Sequence, residues 1–168
     1  MQKLMNLWGY SKNMRHLFTK LLYYLVQKDK KVFVIIGDVS TPDLNRIAKD
    51  FPNQFLNFGI MEQAMVSFAA GMSLMGFKVY VYTTTPFVLD RAFEQIKLDV
   101  AENKLDVKIV GYADYPEQGP THAETNDKIA KYLKIKTFYP KSVKGVKEAV
   151  LKSYETKGPV FVSLKKLK

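Results

Sequence analysis

The chain contains no cysteine. Disulfides, thiolate metal sites and cysteine nucleophiles are thereby excluded, and the composition fits a cytoplasmic protein. Only two histidines are present, so a multi-histidine metal centre is not expected and no metal ligand is assigned. Long apolar runs are missing too. The basic, partly apolar segment 1–28 is too interrupted to span a membrane, and no small-residue cleavage site follows residues 21–26, so no membrane partner is expected. Acidic residues are scarce: 16 Asp and Glu face 26 Lys and Arg, a formal charge of +10. Such a surplus raises nucleic-acid binding as a function. The charge, however, is mostly lysine, spread along the chain and denser after Lys128. It forms no arginine-rich run, and no aromatic-plus-glycine RNA motif accompanies it. No nucleic-acid partner is expected. A solvated lysine surface is the plain reading; attraction for a phosphorylated substrate or an acidic partner subunit is the functional one.

What is present is alternation. At 168 residues the chain is long enough for one domain with one core. Residues 1–12 read as an N-terminal arm and 13–168 as the domain. Met14, Leu17, Leu21, Leu22 and Leu25 recur at helical spacing. Residues 31–37 are a continuous apolar run suited to a strand buried on both faces. Further strands are predicted at 54–58, 78–82, 107–112, 135–138 and 159–164, and helices at 42–49, 61–75, 88–102, 125–133 and 143–155. The helix at 61–75 is expected to bury Ala64, Phe68, Ala69 and Met72, with Gly71 explained by close helix packing. Strands alternating with helices predict an α/β three-layer sandwich on a mainly parallel sheet.

In open α/β sheets, ligands collect outside the carboxyl ends of the strands. Those ends carry residues 38–41, 59–63, 83–87 and 112–122, the least ordinary parts of the sequence. Residues 55–65 read F-L-N-F-G-I-M-E-Q-A-M and put Glu62 in the first turn of a helix. Unpaired backbone N–H groups and the helix dipole favour a carboxylate there, so a purely structural role is the simpler account of that residue alone. Residues 83–87, T-T-T-P-F, make a stiff polar turn ahead of V-L-D-R-A-F-E-Q. Phe87 or Phe93 could equally be core residues. At 119–122 the chain reads G-P-T-H, a turn presenting a threonine and His122, and a lone loop histidine is most simply a surface residue.

Taken together and in order, these segments resemble transketolases, 1-deoxyxylulose-5-phosphate synthases and the beta subunits of 2-oxoacid dehydrogenases. N-F-G-I-M-E-Q matches the G-I-x-E-Q segment whose Glu contacts the aminopyrimidine of thiamine diphosphate. Arg91, Glu94 and Gln95 match the R-A-x-[DE]-Q segment, which follows the aromatics that stack on that ring. One form of this motif places its Phe at Val88, and relatives with a P-F pair place it at Phe87; Phe87 is taken here. G-P-T-H matches the loop whose His reaches toward substrate. The family often continues H-H-x-x-E-D where this chain reads H-A-E-T-N-D. Met14-Arg15, Gly37-Asp38, Gly111, Pro140 and G-P-V at 158–160 also match, so the resemblance covers roughly residues 14–164.

The resemblance implies the fold of the pyrimidine-binding domain of thiamine-diphosphate enzymes. It implies Glu62 and His122 as catalytic residues, and Glu62, Phe87, Arg91, Asp38 and Gln63 as cofactor-binding residues. The metal motif of the diphosphate-binding domain, G-D-G followed by an Asn, is lacking: Gly37-Asp38-Val39 is the nearest match. The chain is therefore expected to be a stand-alone half-enzyme that shares thiamine diphosphate with a separate diphosphate-binding subunit. That subunit would supply Mg²⁺, in a heterotetramer acting on a small sugar or sugar phosphate. The implied reaction is transfer of a two-carbon ketol or acyl unit. Two alternatives stay open: one subunit of a two-component 2-oxoacid decarboxylase or dehydrogenase, and a non-catalytic binding module of the same fold.

Overall fold

In the computed structural model, residues 13–113, 116–123 and 128–165 are described. The expected arm at 1–12, the start of the helix predicted at 125–133, and the acids of H-A-E-T-N-D lie outside them.

Helix α1 (Met14–Lys28) starts where Asn13 caps it, its side chain accepting from the Arg15 amide. Strand β1 (Val32–Ile36) follows, buried throughout. Thr41 caps α2 (Pro42–Asp50), whose first turn accepts Pro42 because no intrahelical N–H is needed there. After the short strand β2 (Phe55–Asn57) come α3 (Glu62–Leu74) and β3 (Lys78–Thr84). Residues 87–101 form one irregular helix, α4. Its π-helical turns, Phe87–Arg91 and Ile96–Ala101, flank a short α segment at Phe93–Gln95, where a regular helix was expected at 88–102. Then follow β4 (Val107–Ala113), a one-turn helix α5 (Pro120–Ala123), α6 (Lys128–Tyr132), β5 (Lys136–Phe138), α7 (Val143–Glu155) and β6 (Val160–Lys165).

The strands form one six-stranded sheet in the order β2-β1-β3-β4-β6-β5, and every pairing is parallel. The expected sheet was mainly parallel; among the described residues it is wholly so. Alternate strand residues feed two cores. Tyr80, Tyr82 and Val110 meet α1, α2 and α7 on one face. Val79, Val81 and Ile109 meet α3, α4 and α6 on the other. This is the three-layer sandwich that the alternation predicts. Each fully buried Leu or Ile in it, such as Leu22, Leu44 or Ile96, contributes about 1.5–3 kcal/mol of transfer free energy.

The helix at 61–75 is phased differently from expectation. It buries Glu62, Met65, Val66, Ala69 and Ala70, while Phe68 is 39% exposed and Ala64 and Met72 are only half-buried. Apolar residues lie on every side of α3, so their period does not choose a face; the inward turn of Glu62 does. Gly71 is not a packing glycine within this chain, because a Cβ there would meet nothing within 4 Å.

After β1 the chain passes to the α2 face, and after β3 to the α4 face. The two exits diverge at the carboxyl ends of neighbouring strands. That opens the crevice expected at a topological switch point.

Candidate functional site

A cavity of about 400 Å³ fills this crevice, and Asp38, Glu62, Phe87 and His122 all line it. These residues come from four separate crossovers.

Glu62 is 4% exposed, an unusual burial for a carboxylate. It begins α3, which no side chain caps. The helix seats closely because Gly37 leaves room for the turn that follows: a Cβ on Gly37 would lie 3.0 Å from the Met65 sulfur. The buried charge is compensated by Arg91, whose Nη1 lies 3.4 Å from both Glu62 carboxylate oxygens. The same guanidinium lies over the Phe87 ring, 3.8 Å from its centroid. Arg91 touches both residues yet does not line the cavity, so it braces them from outside.

Phe87 opens α4, and Val88 is fully buried in the core, so the cavity takes Phe87 and not its neighbour. The His122 ring meets Phe87 edge to face at 4.8 Å between centroids. His122 sits in the one-turn helix α5 and not in open loop; its amide donates to the Gly119 carbonyl, and Thr121 Oγ1 lies 3.2 Å from His122 Nδ1. Asp38 is exposed on a left-handed backbone, φ 52°, at the end of β1. Gln63 is exposed, does not line the cavity, and stands apart from the other expected site residues.

Sequence reasoning left out several lining residues, among them Arg15, Ile60, Tyr112 and Gln118. Arg15 is the most telling. It extends from α1, donates from Nε to Tyr82 Oη at 3.1 Å and from Nη2 to the Ser40 carbonyl at 3.0 Å, and lies over Tyr112 at 4.0 Å. The available signal was the Met14-Arg15 match, which carries no role by itself. The cavity thus has an apolar and carboxylate end, Ile60, Phe87 and Glu62, and a polar end with Arg15, Gln118 and Asp38. Among the described residues, no group of three or more His, Cys, Asp or Glu is placed to hold a metal ion. No helix among them is long and apolar enough to cross a membrane.

The pattern describing the transketolase pyrimidine binding domain matches residues 11–168. One of the two apulose-4-phosphate transketolase subunits of Actinobacillus succinogenes is 32% identical over 136 residues, which is 78% of this chain and 44% of that protein. A 1-deoxy-D-xylulose-5-phosphate synthase from Oleidesulfovibrio alaskensis is 31% identical over 157 residues, 86% of this chain and 23% of that one. A solved structure described as a split gene transketolase in an inactive beta4 tetramer superposes with a TM-score of 0.80 at 30% identity, covering 92% of this chain and 51% of that one. The chain spans about half the length of these relatives or less. With its parallel sheet, its switch-point cavity and this match along almost its whole length, the chain belongs to the transketolase pyrimidine-binding domain family.

Proposed function

We propose that this chain is the pyrimidine-binding subunit of a split, thiamine-diphosphate-dependent transketolase-like enzyme. The observation that carries the reading is the convergence of a buried carboxylate, Glu62, with the Phe87 ring and Ile60 at one end of a single cavity. That set fits an aminopyrimidine, a flat ring that needs an acceptor aimed at a ring nitrogen and apolar surface against its faces. Bound thiamine diphosphate would supply an electron sink for breaking the carbon–carbon bond beside a ketone carbonyl. The chain's own residues position and control protons. Glu62 holds a proton shared with the ring nitrogen, within a site whose burial keeps water from competing. Phe87 packs against the ring, and Arg91 holds Phe87 and Glu62 in place. His122 stands where a substrate hydroxyl or carbonyl oxygen would enter, and Asp38 borders the same space.

The diphosphate and Mg²⁺ are assigned to a partner subunit. The apolar face of α3 supports that assignment. Ile60, at the cavity rim, is 68% exposed, and Leu74 and Met75 farther along are 75% and 69% exposed. Exposed apolar surface of this kind marks interaction sites. A heterotetramer with the diphosphate-binding chain is the assembly proposed. Arg15 at the polar end suits an anionic group on the substrate, and a relative named for apulose-4-phosphate agrees with a sugar phosphate.

The test is isolation of the tagged chain from its own host, identification of what assembles with it, and titration of thiamine diphosphate with Mg²⁺ into chain and complex. A partner bearing the metal motif, with tight cofactor binding only in the complex, is the expected result. A chain that stays alone and takes no cofactor under either condition would move the reading to a non-catalytic module.

A further inference from the structure

Two backbone turns bring the acidic side chains of the cavity to its rim: the β1–α2 turn carrying Asp38 and the β2–α3 turn leading to Glu62. One side chain joins them. Asn57 Oδ1 accepts the Asp38 amide at 3.1 Å and the Gly59 amide at 2.9 Å. Both donors are backbone N–H groups, so the atom they meet must be the amide oxygen. The two turns are otherwise poorly determined. Asp38 has φ 52° and Gly59 φ 71°, left-handed conformations that need a local hydrogen bond or a glycine to hold them. Helix α3 has no capping side chain, so the position of its first turn, and of Glu62, depends on the turn before it. That turn continues from Gly59, whose carbonyl accepts the Met61 amide at 3.0 Å, and Met61 in turn accepts the Met65 amide. Asn57 itself is exposed at the end of an edge strand and does not line the cavity.

We infer that Asn57 is a positioning residue whose one carbonyl oxygen clamps the Asp38 and Glu62 turns together across the site. The inference deepens the proposed function and rests on it only where cofactor binding is the readout. Asn57→Ala should leave the fold intact while amide hydrogen exchange rises at both Asp38 and Gly59. In the isolated complex, the Kd for thiamine diphosphate with Mg²⁺ should weaken roughly tenfold, the loss carried by one or two hydrogen bonds. Asn57→Asp keeps an oxygen in the same place and should restore both exchange protection and affinity to within about threefold. If Asn57→Ala does not fold, Asn57→Ser, whose hydroxyl is too short to reach both amides, carries the same comparison. Exchange that rises at Gly59 alone, or a Kd unchanged in a complex whose Glu62→Ala variant has lost binding, overturns the clamp. A wild-type complex that binds no thiamine diphosphate defeats the cofactor reading instead, and the two-turn exchange still decides the clamp.

Discussion

At the amino ends of β3 and β4, Lys78 and Lys108 share the Asp106 carboxylate. Lys108 is fully buried, and its ammonium also donates to the Thr156 and Gly158 carbonyls at 2.6 and 2.7 Å. Nearby, Tyr154 donates to Asp29. Polar valence is filled there. The carboxyl ends of the same sheet differ. The buried hydroxyls of Thr83, Thr85 and Ser163 have no partner among the described residues. Asp38 sits in a strained conformation, and Glu62 is met by Arg91 only at 3.4 Å. Buried polar groups are usually hydrogen-bonded, so the unfilled end is the one to read as functional. The tightly paired charges at the other end are structural, even though a buried lysine is the more conspicuous feature.

The largest effect expected from this contrast is at Glu62. Glu62→Gln or Glu62→Ala should lower turnover of the assembled enzyme by about a hundredfold or more, the range for losing a positioned acid or base, with the thermal midpoint nearly unchanged. Near-normal turnover in either variant would break the functional reading of the carboxyl end.

Asp106→Ala should do the reverse. It strands the buried Lys108 ammonium and should destabilise the chain by about 3 kcal/mol in urea unfolding, with cofactor affinity of the folded complex retained. A loss below about 1 kcal/mol would put this pair in the class of exposed ion pairs and remove the contrast.

The same lysine gives a pH signature. Burial lowers the Lys108 ammonium from 10.5 to about 8. Between those values the unfolded chain binds the proton and the folded chain does not, so stability should rise with pH from about 8 toward 10.5. The limiting slope is about 1.4 kcal/mol per pH unit. Above about pH 10, Tyr80 acts in the same upward-shifted sense for its own proton: burial raises its phenol, so the folded chain keeps a proton that the unfolded chain loses, and stability should fall there. Urea titrations across pH 7.5–10.5 should show the rise, and Lys108→Met should remove it. A stability curve that is flat or falling over pH 8–10 in the wild type would overturn the assignment.

The satisfied end was hard to foresee and the unsatisfied end was not. Lysines read as a solvated surface, and nothing local distinguishes Lys108, whose partners at 156 and 158 are far along the chain. The alternation of apolar runs was enough for the layers and the parallel sheet, because each crossover is short and the strands are buried on both faces. Glu62, Phe87 and His122 were legible through motif order, since each lies at the end of a strand or the start of a helix. Arg15 was not, because its place in the cavity follows from how α1 crosses Tyr82 and Tyr112. The π-helical turns of α4 were hidden for a related reason: their wider spacing blurs into an ordinary helical period over so few residues.

The smallest effect on the chain's own stability should come from the outward face of α3, where the unfilled end of the molecule continues as bare apolar surface. Met75→Lys places a cation at a helix C-terminus on a side chain that is mostly in water, so unfolding free energy should move by less than about 0.5 kcal/mol. If this face completes the site against a partner, the substitution should nonetheless abolish or sharply weaken assembly in size-exclusion chromatography of the co-purified complex. Cofactor binding should fall with it, because the diphosphate would lose its binding chain. An unchanged complex would mean that the partner approaches from the polar side of the cavity, past Arg15 and Gln118, and that the apolar stripe of α3 serves another contact.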